Sequence, residues 1–270
     1  MMVVTQLDEV RKEIRIMNKI SHPNCIRLIE VIEDVPPKEL ANLNQVYELD
    51  EDQKFELQPF EEGESSDDSL SEKIYLVMEL AEYRQVMTWN THSFVFVPNP
   101  ILLKTPQSKF ISQKVILSII RDVLSAVAYL HDQVGIVHRD IKPLNILLAK
   151  TSDSPYSAKI CDFGVSEVLD TEKPLLSKTA GTYPFFPPEC CDPHVAQFCG
   201  KKADVWAVGV TLYCMIFNQL PFWQDDFAEN EFGILDFILR SEVTIPENTQ
   251  RQIVKDSQLE SEDQVTESMI

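Results

Sequence analysis

The stretch Ile136–Leu148, IVHRDIKPLNILL, decides how the rest of the chain is read. It carries the polar side chains of His138, Arg139, Asp140, Lys142 and Asn145 between two aliphatic runs. Aliphatic flanks of this kind belong inside a protein, where a carboxylate is costly unless it is paired or binds metal. Asp140 is therefore expected to be kept for chemistry. The hydrophobic pieces NILLA and AKICDF predict two strands flanking a turn, and the second delivers Asp162, Phe163 and Gly164. In this arrangement Asp140 can face an attacking hydroxyl, while Asn145 and Asp162 offer hard oxygen ligands to magnesium on a nucleotide's phosphates. That is phosphoryl-transfer chemistry.

Working outward, GTYPFFPPE spans Gly181–Glu189 and DVWAVGV begins at Asp204. Four motifs in this order and spacing are not accidental. Upstream, Val10, Ile14, Met17 and Ile20 recur at helical spacing, which predicts an amphipathic helix over 7–20 that SHPN terminates at Pro23. CIRLIEVIE and KIYLVMEL read as strands, and the acidic stretch 35–72 between them reads as a mostly disordered insertion. Residues 89–113, with Pro98, Pro100 and Pro106, are predicted to be loop, as are 162–189. A helix is predicted over 115–131, and ADVWAVGVTLYCMIF reads as a central helix, apolar on nearly all sides.

Composition excludes several classes. With 44% hydrophobic and 25% charged residues the chain is an ordinary globular sequence. A formal net charge of -19 argues against nucleic acid or an anionic membrane as the main partner. The start lacks the basic and apolar regions of a secretory signal, and the apolar run 203–217 is shorter than the roughly 20 residues that cross a bilayer. The six cysteines have no Cys-x-x-Cys pair and read as reduced thiols, so a cytoplasmic protein is expected. The acidic run near Asp67 lacks the spacing of a calcium loop.

On these motifs the chain resembles a eukaryotic protein kinase from Leu7 to about Pro246. DFGVSEVL, LLSKTAGTYPFFPPECC and KKADVWAVGVTLYCMIFNQLPFW are similar to the calcium/calmodulin-dependent protein kinase kinase family, upstream activators of energy-sensing kinases. The resemblance implies an α+β, two-lobed fold: a partial N-lobe over 1–80 with helix C and two strands, a hinge and α-rich C-lobe over 81–246, and an acidic polar tail over 247–270. It implies a serine/threonine kinase using ATP and Mg2+, with a protein substrate such as the activation loop of another kinase.

By the same resemblance Asp140 is the catalytic base, Lys142 neutralises charge on the transferred phosphate, and Asn145 and Asp162 hold magnesium. Glu79 to Ala81 form the hinge facing adenine, Met78 is the gatekeeper and Leu147 lies under the ring. Glu13 falls at the helix C glutamate. Met17, Leu28, His138 and Phe163 match the apolar stack linking the lobes, Gly164 completes the DFG motif, and Asp204 anchors the catalytic loop. Thr182 lies in the structural set beside the activation loop. Arg139 is expected to pair with a phosphate on Ser177 or Thr179.

The chain also departs from the family. No glycine-rich loop or VAIK-like lysine precedes Glu13, which leaves that glutamate without its expected partner. IPENTQRQIVKDSQLESEDQVTESMI stands where the last C-lobe helices and the arginine partner of Glu189 are expected. The expectation is an incomplete chain of a longer kinase; the alternative is a truncated pseudokinase acting as a protein-binding module. No basic amphipathic helix follows the domain, so calmodulin binding is not supported.

Overall fold

The computed structural model describes residues 6–33, 74–152, 154–224 and 231–246. Both the acidic insertion 35–72 and the tail 247–270 lie outside the described residues. The fold is α+β, as a kinase fold requires. Two compact units are present, residues 28–78 and residues 1–27 with 79–270.

The smaller unit contributes an antiparallel hairpin of β1 (Leu28–Glu33) and β2 (Ile74–Met78), in which Leu28 lies opposite Met78 and the register slips between Leu28 and Glu30. In the larger unit α1 (Gln6–Met17) buries Ile16 and Met17. The chain after it belongs to this unit because it is sewn to the Ile160 strand. Ile26 N–H donates to the Ile160 carbonyl at 2.8 Å, Ile160 N–H donates to the Asn24 carbonyl at 2.8 Å, and the buried Asn24 amide donates to the Ala158 carbonyl at 2.9 Å. The chain up to residue 27 is thus part of the larger unit.

Residues 89–113, predicted as loop, contain part of a second hairpin. β3 (Met87–Asn90) pairs with β4 (Val95–Pro98), with Trp89 opposite Phe96. Asn90 Oδ1 accepts from the N–H groups of His92 and Ser93, closing the turn. Pro98, a breaker by sequence, sits at the last strand position, where a missing N–H costs little. Met87, Phe96 and Pro98 are buried, so packing favours the strand.

The core lies between α2 (Gln113–Tyr129) and the long helix at 200–217, with Ile119, Val123 and Ala126 of α2 buried. A π turn at Leu130–Val134 ends α2, and Gly135 at φ 73° closes it in the left-handed region that glycine tolerates. There follow β5 (Ile136–Val137), then β6 (Ile146–Ala149) paired with β7 (Ser157–Ile160). Within 162–189, predicted as loop, β8 (Glu167–Val168) pairs with β5 and β9 (Leu175–Leu176) with β10 (Phe198–Cys199). These two-residue pairings are too short to leave a periodic signal. α3 (Pro188–Cys191), α4 (Gly200–Phe217) and α5 (Glu231–Arg240) complete the unit.

Candidate active site

The loop between β5 and β6 is held from below by Asp204 of α4, which is 1% exposed. Its Oδ2 accepts from His131 Nε2 at 2.7 Å and from His138 N–H at 2.8 Å, and its Oδ1 accepts from Arg139 N–H at 2.8 Å. These bonds hold Arg139 at φ 70°, a conformation that costs a side-chain-bearing residue about 1–2 kcal/mol. His138 is fully buried, and burial pushes its pKa below the ordinary value. The neutral ring suits its surroundings: Nδ1 accepts from Asp140 N–H at 3.2 Å and Nε2 donates to the Cys161 carbonyl at 3.1 Å. Phe163, also buried, sets its ring against His138 edge to face at 5.1 Å.

Above this base Asp140 is the hub. Lys142 Nζ donates to Asp140 Oδ2 at 2.6 Å and to Thr182 Oγ1 at 2.8 Å, while Thr182 Oγ1 donates to Asp140 Oδ1 at 2.7 Å. Asn145 Nδ2 donates to the Asp140 carbonyl and to Oδ2, both at 2.9 Å. The loop carrying Thr182 reaches Asp140 through Gly181, at φ 111°. A Cβ there would lie 2.2 Å from the Arg139 carbonyl oxygen, so only glycine fits.

Asn145 and Asp162 are brought together by Cys161 N–H, which donates to the Asn145 carbonyl at 3.0 Å. Asp162 is exposed at φ 67°. With both Asn145 amide hydrogens directed at Asp140, its oxygen is left for a ligand. One carboxylate and one amide oxygen fit magnesium, which takes few protein ligands and completes its shell from phosphate and water. Glu13 lies on this side too: a Cβ built at Gly164 would be 3.7 Å from its Oε2. Burial, then the Asp162 charge, pushes the Glu13 pKa up.

The remaining predicted residues are placed as follows. Glu79 N–H donates to the Arg27 carbonyl at 3.0 Å, and its side chain turns away to accept from Arg27 N–H at 2.8 Å and Lys159 Nζ at 3.1 Å. Among the described residues neither the Glu79 carbonyl nor the Ala81 N–H carries a backbone hydrogen bond. Leu147 is half-buried on β6, Met17 is buried at the end of α1, and Leu28 lies in the separate hairpin. Ser177 and Thr179 are exposed, and neither is bonded to Arg139. Glu189, half-buried in α3, has no ion-pair partner among the described residues.

Sequence reasoning missed His131, Lys12 and Glu167. His131 had no motif to mark it and is identified only by its bond to Asp204. Lys12 and Glu167 meet at 2.6 Å across 155 positions. In sequence each is an ordinary charged residue.

Site and fold together define a protein kinase domain. A family model described as a protein kinase domain matches residues 2–267, and the chain belongs to that family. Three curated relatives are serine/threonine-protein kinases by name. The chain is 33% identical to ssp1 of Schizosaccharomyces pombe, over 90% of the chain and 29% of that protein. It is 29% identical to GRIK2 of Arabidopsis thaliana, over 90% of the chain and 46% of the relative. With TOS3 of Saccharomyces cerevisiae the identity is 30%, over 88% of the chain and 35% of the relative. The chain therefore spans less than half the length of these relatives. Among the described residues no helix is long and apolar enough to cross a membrane.

Proposed function

We propose that this chain is the catalytic part of a serine/threonine protein kinase, transferring the γ-phosphate of ATP to a protein hydroxyl. The hydrogen-bonded set around Asp140 carries this reading: a buried carboxylate is held by Lys142, Asn145 and Thr182 at 2.6–2.9 Å. Asp140 would orient the acceptor O–H and take its proton as the oxygen bonds to phosphorus and the bond to the β-phosphate oxygen breaks, releasing ADP. Lys142 would swing its ammonium from Asp140 to the transferred phosphoryl oxygens. Asn145 and Asp162 would hold magnesium, which neutralises phosphate charge when bound. The Glu79 carbonyl and Ala81 N–H would face adenine, with Leu147 beneath it.

A cavity of about 850 Å³ lined by Trp89, Phe94, Lys142, Thr182 and Trp223 adjoins Asp140's partners and has room for a polypeptide acceptor. The DFGVSEVL and GTYPFFPPECC segments and the kinase relatives support the finer placement in the calcium/calmodulin-dependent protein kinase kinase family. Within that family the activation loop of another kinase would be the acceptor. Six free cysteines support a reducing, cytoplasmic setting.

The test is radiolabelled phosphate transfer by the full-length gene product and its Asp140→Asn variant. Turnover should fall by about 10²–10⁴ while nucleotide affinity stays nearly unchanged. Equal transfer by both proteins, or none by either with folding verified, would leave the binding-module reading in its place.

A further inference from the structure

Arg139 is the residue expected to receive a phosphate from Ser177 or Thr179, but its Nη1 is already engaged, while its Nε is buried with no hydrogen-bond partner among the described residues. Arg139 Nη1 donates to Glu167 Oε2 at 3.2 Å, and Lys12 Nζ from α1 donates to the same oxygen at 2.6 Å. Two cations from elements far apart in sequence thus share one carboxylate oxygen. Register makes this possible. Glu167 lies opposite Val137 in the β5–β8 pair, two residues before Arg139, so its side chain starts beside the catalytic loop.

Space is the second observation. On the side facing Thr179 and Cys190, the cavity at Arg139 has a volume of about 20 Å³. That holds a single water and not a phosphate group. The Arg139 side chain is 13% exposed, so a phosphate could reach it only after Glu167 or the loop moved.

We propose that Glu167 is a built-in anion that joins Lys12 of α1 to Arg139 of the catalytic loop, the role a loop phosphate would otherwise fill. Glu167 is a positioning residue: it touches neither nucleotide nor acceptor, and it acts by fixing α1, which carries Glu13, against the loop that carries Asp140. Removing its charge leaves two cations facing each other, so α1 loosens. Phosphate on Ser177 or Thr179 is then dispensable for turnover. The inference rests on the kinase reading for its catalytic consequence, but the link between α1 and the loop does not.

The experiment compares wild type, Glu167→Gln and Glu167→Asp in the full-length protein, with and without phosphatase treatment. Amide hydrogen exchange over Gln6–Met17 reads the link directly. Expected results are faster exchange in α1 of Glu167→Gln, a fall in kcat of about tenfold with the KM for ATP little changed, and partial recovery of both exchange and kcat in Glu167→Asp. Phosphatase should leave wild-type turnover intact. Unchanged exchange in Glu167→Gln overturns the proposal, as does loss of wild-type turnover on phosphatase treatment. If wild type transfers no phosphate at all, the kinase reading fails, and the exchange result still decides whether Glu167 ties α1 to the loop.

Discussion

Truncating Asp204 to alanine removes the carboxylate that accepts from three donors of the catalytic-loop base, and the structure sets the size of the effect. Three donors lose their acceptor at once: His131 Nε2 at 2.7 Å, and the N–H groups of His138 and Arg139, both at 2.8 Å. The site is 1% exposed, so water cannot replace the carboxylate without opening the loop. Each buried, unsatisfied N–H costs about 1–3 kcal/mol, and the whole loss is on the order of 4 kcal/mol. That is a large part of the roughly 5–15 kcal/mol that stabilises a domain. Asp204→Asn keeps one oxygen and should lose about half as much, because its amide nitrogen faces a donor. Equilibrium urea unfolding followed by circular dichroism measures both variants. With a slope near the upper end of about 1–3 kcal/mol/M, the alanine midpoint should fall by more than ~1 M. A fall of less than ~0.3 M would show that the loop does not depend on these bonds, and would refute the reasoning.

Two further outcomes follow from the same geometry. Gly181→Ala should displace the Thr182 loop, because its Cβ would meet the Arg139 carbonyl oxygen at 2.2 Å; phosphate transfer should drop at least about tenfold and the urea midpoint should fall, though by less than in Asp204→Ala, and wild-type turnover in this variant would contradict the reading. Burial, and secondarily the Asp162 charge, pushes the Cys161 thiol up to about 12, so it should resist iodoacetamide at pH 8 in the folded protein and react once urea unfolds it. Rapid alkylation of native Cys161, mapped by peptide mass spectrometry, would show that its environment is wetter than described.

The two strands around 146–160, the helices around α2 and α4, and the polar residues of the catalytic loop all could be read before any coordinates. Each leaves a local trace. An apolar stripe at helical spacing reports which face is buried, and HRDIKPLN, DFG and GTYPFFPPE keep their order because their chemistry requires particular side chains at fixed separations along the backbone. The hairpin at 87–98 left a weaker trace, since Pro98 is a breaker in a sequence and harmless at the end of a strand. α5 is likewise visible only where its Ile234 and Ile238 pack against Phe186 and Phe222.

By itself, then, the sequence determined the class of fold, the identity of the polar residues in the loop and the kind of chemistry they suit. Tertiary structure alone decided who meets whom: Asp204 with His131 and His138, Thr182 with Asp140, and Glu167 with both Arg139 and Lys12. The physical reason is that burial and secondary structure follow from near neighbours in the chain. The partner of a charged side chain is set by the packing of segments up to 155 residues apart, and no local pattern encodes it.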